Sequence, residues 1–489
     1  MTVSLRVTEL GSYYTLGDIA EELGPFTVEE EQASNFDQEL ADKLHVDVKE
    51  ILAARLTEMT RETTFQEVAE VLSSTVRHDT PNKLILFSAG LLTFTEQDQV
   101  NVLMSGESAG GKSYSALEIA SYFPNDILII LGNASPRAFY HESGSWDPDR
   151  KQLIVDLKGK LLVLLDNPHY SWLQQMRPLL SHDRNEIVFK ITDKSKSGAL
   201  RTKTVVIMGY PTVVFCGAKM GLDQQEATRL MILSPETSQE KLAESIRLRI
   251  SRDSDRAAFK DWIDSHPRRK WLKARIQAVR DAHITEIIVP NQERIYERFI
   301  QEHGRLAPRN QRDISRIISM VKASALLNWA KRQSPSPGTI EANETDIVAG
   351  FELYGRIAPA NELGLSPEVY AIWLSDIQPL IEQTPTGVDN KSIMTSYYER
   401  TGRFMPDRKL RREVLPAIES GGLISQIVDP LDKRQRLVIR AVSTLPSPHS
   451  AHISTQETMW APSGDTPPPP PHLAHIIHGP LDIQTGEAK

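Results

Sequence analysis

The sequence predicts an α/β fold: a parallel-sheet core, a helical region, and a small unit of three helices and a β-hairpin. Three observations predict it. Four short apolar runs, VNVLM (100–104), DILIIL (126–131), KLLVLLD (160–166) and TVVFCGA (212–218), alternate with helical stretches. Runs apolar throughout are what parallel strands covered on both faces require. Helical spacing then returns from about Gln239 to Leu353, and after Leu365 three helical runs precede two strand-like segments, LISQIVD and QRLVIRAV.

The first forty or so residues are mixed and acidic without sustained periodicity, so residues 1–44 read as an accessory segment. From about Val46 to Leu92 the apolar spacing is helical, with Thr63 and Thr64 as candidate caps before the run TFQEVAEVLSSTV. These helices and the strands make a core over 45–238. Between the third and fourth strands, the run from Asn185 to Tyr210 holds two strand-like halves around the turn-rich DKSKSG, which predicts a β-hairpin. Residues 239–362 form a helical region with an exposed loop at Ser334–Gly338. The order helix, helix, helix, hairpin over 363–443 predicts a winged helix. The tail, 444–489, is rich in Pro, His and Ser, with five consecutive prolines from Pro467 to Pro471, and is expected to stay disordered.

At 489 residues the chain divides into several domains. Its one cysteine, Cys216, excludes a disulfide framework and a multi-cysteine zinc site. No apolar stretch approaches the roughly 20 residues of a membrane span, and the start lacks a signal-peptide layout, so a cytoplasmic protein is expected. A net charge of -8 excludes a uniformly basic surface, and any nucleic-acid contact has to be local.

The strongest chemical signal is Gly106-Glu107-Ser108-Ala109-Gly110-Gly111-Lys112-Ser113, which fits G-x(4)-G-K-[ST], follows the strand VNVLM and opens the helical run SYSALEIASYF. Glycines let successive backbone N–H groups turn inward around phosphates, and the helix amino terminus adds partial positive charge. Lys112 is placed to reach the β and γ phosphates of ATP, Ser113 to ligate Mg²⁺, and Tyr114 to border the nucleotide. About fifty residues on, Asp166 leaves the tip of the third strand, where a carboxylate can hold the same Mg²⁺ through water. The next residue, Asn167, is an amide and cannot act as a general base, which leaves His169 or Glu142 as substitutes, or slow hydrolysis.

This order of parts resembles the helicase-like branch of AAA+ P-loop ATPases, especially minichromosome maintenance helicases and the helicase-like proteins of phages and integrated elements. The resemblance spans about Val68 to Leu353. It rests on the phosphate loop, Asp166, the hairpin before the fourth strand, and the runs QEATRLMILSPE and PRNQRDISRIISMVKASALL. It implies a homo-oligomeric ring, hexameric in that branch, in which Arg229 reaches the neighbouring subunit's ATP, and Arg312, eleven residues before Ala323, matches the sensor 2 group. Arg309 and Arg316 are near enough for a slipped match. Thr212 and Cys216 are the polar candidates for the sensor position on the fourth strand.

The resemblance also implies DNA contact by the hairpin, whose Lys194 and Lys196 flank the turn, inside a ring channel. In the winged helix, Arg408, Lys409, Arg411 and Arg412 start the third helix and Lys433, Arg434 and Arg436 mark the wing, so a DNA face is expected there. The sequence therefore predicts an ATP-dependent DNA helicase or translocase, for which the family resemblance implies a role in mobile-element replication; the alternative is an ATP-gated DNA- or protein-binding switch with weak hydrolysis.

Overall fold

The computed structural model describes residues 4–7, 12–15, 49, 57, 60 and most of 61–441. Within the last span, residues 107–109, 133–143, 167, 195–199, 218–229, 237, 304–305, 307–309, 359, 361–362, 364 and 431–432 lie outside the description. The tail from 442 onward also lies outside it. Near the amino terminus, where no periodicity was expected, Ser4–Val7 and Ser12–Thr15 pair as an antiparallel ribbon.

Helix α1 (Phe65–Leu72) starts at Thr64. The Thr64 hydroxyl accepts from the Glu67 N–H at 3.2 Å, and the Glu67 carboxylate accepts from the Thr64 N–H at 2.8 Å, closing a capping box. Thr63, the other candidate cap, is buried instead, and its N–H donates to Asn328 Oδ1 at 2.8 Å. Helix α2 (Thr80–Leu92) is buried almost all round, as a helix beneath a sheet has to be.

Nine strands follow among the described residues: β1 (Val102–Ser105), β2 (Leu128–Leu131), β3 (Ser145–Asp147), β4 (Gln152–Asp156), β5 (Leu161–Leu164), β6 (Glu186–Lys194), β7 (Leu200–Met208), β8 (Thr212–Gly217) and β9 (Met231–Leu233). They form two sheets. The first is all parallel in the order β9-β1-β8-β5-β2 and contains the four expected strands. The fifth, β9, is three residues long, too short for a periodic reading. The second sheet, β3-β4-β7-β6, contains the expected hairpin, with β6 and β7 in unbroken antiparallel register from Glu186↔Met208 to Lys194↔Leu200. Strand β4 pairs in parallel with β7, so the hairpin is built into a sheet and does not stand alone.

Side chains alternate across the first sheet and divide the core in two. Val102, Met104, Val214 and Leu233 pack on α2 and on α3 (Lys112–Ala120). Leu103, Leu162, Leu164 and Phe215 share the other core with the buried stripe Trp172, Leu173, Met176 and Leu179 of α4 (Tyr170–Leu180) and with Leu153, Val205 and Ile207 of the second sheet.

The region after β9 holds α5 (Gln239–Ser254), α6 (Arg256–Ser265), α7 (Pro267–Asp281), α8 (Gln292–Glu302), α9 (Asn310–Leu327) and α10 (Glu344–Gly355). It is not wholly helical. A three-stranded sheet, Glu286–Ile288 with Gln333–Ser336 and Thr339–Glu341, runs through it. Of the expected loop at Ser334–Gly338, Ser334–Ser336 is exposed strand, and only Pro337 and Gly338 form the bend of that hairpin, where Gly338 takes a φ of 77° open to glycine.

The last unit has the expected order of three helices and a hairpin around its own core, which includes Ile377, Ile393, Leu410, Val414 and Val438. Its first helix runs Pro367–Ile372, a π turn at Trp373–Ile377, then Gln378–Gln383. The second is Asn390–Thr401, and the third is Asp407–Lys409, a π turn at Leu410–Val414, then Leu415–Ser420. Each π turn lies just before a proline, Pro379 or Pro416, and the wider turn accommodates a ring that would clash with the carbonyl four residues back. The hairpin pairs Ile424–Val428 with Arg436–Arg440. No helix among the described residues is long and apolar enough to cross a membrane.

Candidate functional site

Strand β1 ends at Ser105, the chain turns at Gly106 with φ 139°, and Gly111 with φ 90° caps α3. A Cβ on Gly111 would meet nothing within 4 Å, so glycine is required there by backbone conformation alone. Gly111 as the cap brings no side chain to the first-turn N–H groups of α3, the end of the helix that carries partial positive charge. Lys112 is buried, and its Nζ donates to the Gly106 carbonyl at 3.0 Å, which folds the cation over the mouth of the loop. Glu107, Ser108 and Ala109 lie outside the described residues.

Two other strands end beside this loop. Cys216 of β8 is level with Met104 of β1, and its thiol is hydrogen-bonded to the Ser113 hydroxyl. Burial pushes that thiol up to about 11, with the Ser113 bond and the Lys112 charge pulling weakly the other way. Thr212, the alternative polar candidate, is buried at the opposite end of β8. The register Leu164↔Phe215 and Gly217↔Ser105 puts Asp166 level with Ser105, two strands away, or about 10 Å. Asp166 is exposed. Ser113 and Asp166 thus offer two oxygen donors at the carboxyl end of the sheet, while no group of three or more His, Cys, Asp or Glu that could hold a metal occurs among the described residues. His169 caps α4: its Nδ1 accepts from the Ser171 N–H at 3.3 Å and meets Ser171 Oγ at 2.7 Å. Glu142, Asn167 and Arg229 lie outside the described residues.

A cleft of about 300 Å³ opens beside Gly110 and Gly111. Tyr114 forms its floor, Val76 and Arg77 one wall, and Leu242, Leu248 and Arg252 of α5 the other, with Phe259 of α6 at the end. The first wall is tied to α3. Tyr114 donates to the Thr75 carbonyl at 3.1 Å, and Thr75 Oγ1 donates to Glu118 at 2.8 Å. Buried Arg269 holds Glu118 at 2.7 Å and Tyr122 Oη at 2.7 Å. Burial pushes the Tyr114 phenol up to about 12 and pulls buried Lys83, whose Nζ donates to the Val76 carbonyl at 3.3 Å, down to about 8.

The second wall is rooted at Asp79. This buried carboxylate pairs with buried Lys241 and accepts from the Glu236 N–H at 2.6 Å and from Asn82 Nδ2 at 3.2 Å. Burial raises the Asp79 pKa, and the Lys241 charge works against that rise. Asp79 and His78 both take left-handed backbone, with φ 52° and 53°, at the turn that carries this root.

Arg77, Arg252 and Phe259 belong to no motif. The stripe of α5 that lines the cleft, Lys241, Leu242, Ser245, Leu248, Arg249 and Arg252, is polar at four of its six positions, so in sequence it resembles an ordinary solvated helix face.

Arg312 is not brought to this site within the chain. It is exposed on the first turn of α9 and lines a separate cleft of about 550 Å³ with Gln97 to Asn101, which precede β1, at the other end of the sheet. Arg316 donates to the Leu230 carbonyl at 2.8 Å, and Arg309 lies outside the described residues.

Of the basic candidates, Lys194 closes β6, while Lys196 and the hairpin tip lie outside the described residues. In the last unit Arg408 and Arg412 are exposed without an ion-pair partner among the described residues. Lys409 is held by Glu368 at 2.7 Å and Arg411 by Asp407 at 2.8 Å. Arg434 is exposed on the hairpin, and Phe404, just before the basic helix, is 77% exposed. No protein-family model matches this chain, and no curated protein matches it.

Proposed function

We propose that the chain binds ATP with Mg²⁺ at Gly106–Ser113 and belongs to the helicase-like branch of AAA+ ATPases. The observation that carries this is the seat of the G-x(4)-G-K-S loop. It links the end of a central parallel strand to a helix capped by a glycine, Lys112 bonds back to it, and a cleft of about 300 Å³ opens next to it. The strands carrying the loop and Asp166 both flank β8, which puts the two on the edge where such sheets take ligands. Lys112 binds the phosphates, Ser113 and Asp166 hold the metal, and the base enters between Tyr114 and α5. Bound Mg²⁺ supplies charge neutralisation on the polyphosphate.

Because Arg312 sits at the far end of the sheet, Arg312→Ala is expected to leave the chain's ATP affinity within about twofold, as for a remote surface change. A tenfold loss in calorimetry would place Arg312 at the nucleotide.

In this reading the protein acts on DNA as a ring-forming translocase, with the β6–β7 hairpin in the channel and the winged helix as a docking site. Replacing Lys194 and Lys196 with alanine removes DNA-stimulated hydrolysis, whereas deleting the chain after Leu365 mainly weakens initial binding. Both effects fade as salt rises, because phosphate contacts draw affinity from counterion release. Single-turnover hydrolysis with and without single-stranded DNA tests this; full stimulation in the double-lysine variant overturns the channel role. Asn167 supports a second reading, an ATP-gated DNA-binding switch, which predicts tight ATP binding with negligible turnover at any DNA concentration.

A further inference from the structure

One helix touches both the cleft and the last unit. The inner stripe of α5 walls the cleft, and its first residue, Gln239, donates through Nε2 to the Thr401 carbonyl, at the end of the helix Asn390–Thr401. That carbonyl belongs to the last turn, where helix carbonyls have no partner within the helix. Gly402, the cap that follows, takes a φ of 67°, and a Cβ built there would lie 3.1 Å from Gln239 Nε2. Glycine therefore serves two purposes: it reverses the chain and lets the Gln239 amide close in. Thr401 itself is buried, its hydroxyl donating to the Tyr397 carbonyl at 2.7 Å and accepting from the Arg403 N–H at 3.2 Å. The chain then runs through exposed Phe404 into the basic helix that starts at Asp407.

Little else seats α5. Lys241 is its one buried residue, and α6 has none among its described residues. Beyond the Asp79–Lys241 root, Glu244 ties the helix to the same turn, 3.6 Å from His78 and 3.9 Å from Arg77, and among the described residues the helix otherwise borders the cleft and meets Thr401. A ligand that fills the cleft adds contacts to Leu242, Leu248 and Arg252, and so stabilises one position of the whole rod, Gln239 included.

We propose that α5 couples the nucleotide cleft to the three-helix and hairpin unit, with the Gln239–Thr401 contact as the joint, so that nucleotide occupancy sets the position of the basic helix. This rests on the ATP reading. By linkage, anything that binds the basic helix in its coupled position raises ATP affinity by the same factor.

Amide hydrogen exchange on the full chain, with and without MgATP, tests it without need of a DNA ligand. In the wild type, MgATP is expected to slow exchange about fivefold or more in α5 and also across 390–406. In Gln239→Ala, a residue outside the cleft, ATP affinity and the protection of α5 persist, but protection across 390–406 is lost. Lys112→Ala shows neither effect. Wild-type protection confined to the loop and α5, or protection of 390–406 that survives in Gln239→Ala, overturns the proposal. Absence of any MgATP binding to the wild type sinks the nucleotide reading instead, and direct titration separates that case.

Discussion

Lys112→Ala is expected to weaken ATP binding by about 100-fold or more, a loss of ~3 kcal/mol, because it removes a charge-assisted contact to the phosphates. The structure makes this a demanding test. The Lys112 ammonium is already buried and returned to the loop through the Gly106 carbonyl, so a bound polyphosphate meets it where it stands. The helix end and the loop N–H groups remain in the variant, so weak binding at millimolar ATP is compatible with the account. Unchanged affinity by calorimetry would refute the loop's assignment.

Asp79→Ala is the second large effect, and it acts at a distance from the phosphates. The substitution leaves Lys241 buried without its carboxylate and strips the Glu236 N–H of its acceptor. Breaking one side of a buried pair costs ~3–5 kcal/mol. The cost falls on the root of α5, whose one buried residue is Lys241 and whose other ties to that turn are the solvent-facing Glu244 pairs with His78 and Arg77. The variant should keep the parallel sheet, show fast amide exchange throughout α5, and bind ATP more than tenfold more weakly. Replacing both partners, Asp79→Ala with Lys241→Met, should recover part of the loss, since no buried charge is then left alone. A double variant no better than Asp79→Ala would mean that the pair is not what holds the helix. The same turn holds His78 and Asp79 in left-handed backbone, a strain that the pair offsets.

Which parts of this were legible in the sequence follows from how locally each part is determined. The four expected core strands announce themselves because each lies in a run that is apolar nearly throughout, and the β6–β7 hairpin because a polar turn separates two strand-like runs. Thr64 and Glu67 make a capping box readable from four residues. Strand β9 is not readable, since Met231–Leu233 is a strand only because β1 lies beside it. The same holds for β4, whose partner β7 is some fifty residues away. At the site, the phosphate loop is legible because its chemistry needs fixed residue types at fixed spacing. The cleft wall is not, because α5 needs only a stripe of mixed polarity to cover a ligand, and no residue type on it is obligatory. Arg312 illustrates the reverse case: a spacing match along the chain gave it a role, and the fold puts it at the other end of the sheet.

The most direct test of the account is photolabelling of the wild-type chain with an azido-adenine analogue of ATP in the presence of Mg²⁺, followed by peptide mapping. A base seated beside Gly110 and Gly111 has Val76, Arg77, Tyr114 and the inner face of α5 as neighbours. The account predicts label on peptides from those three segments, displaced by excess ATP and absent in Lys112→Ala. Label elsewhere, or label that persists unchanged in Lys112→Ala, would contradict it.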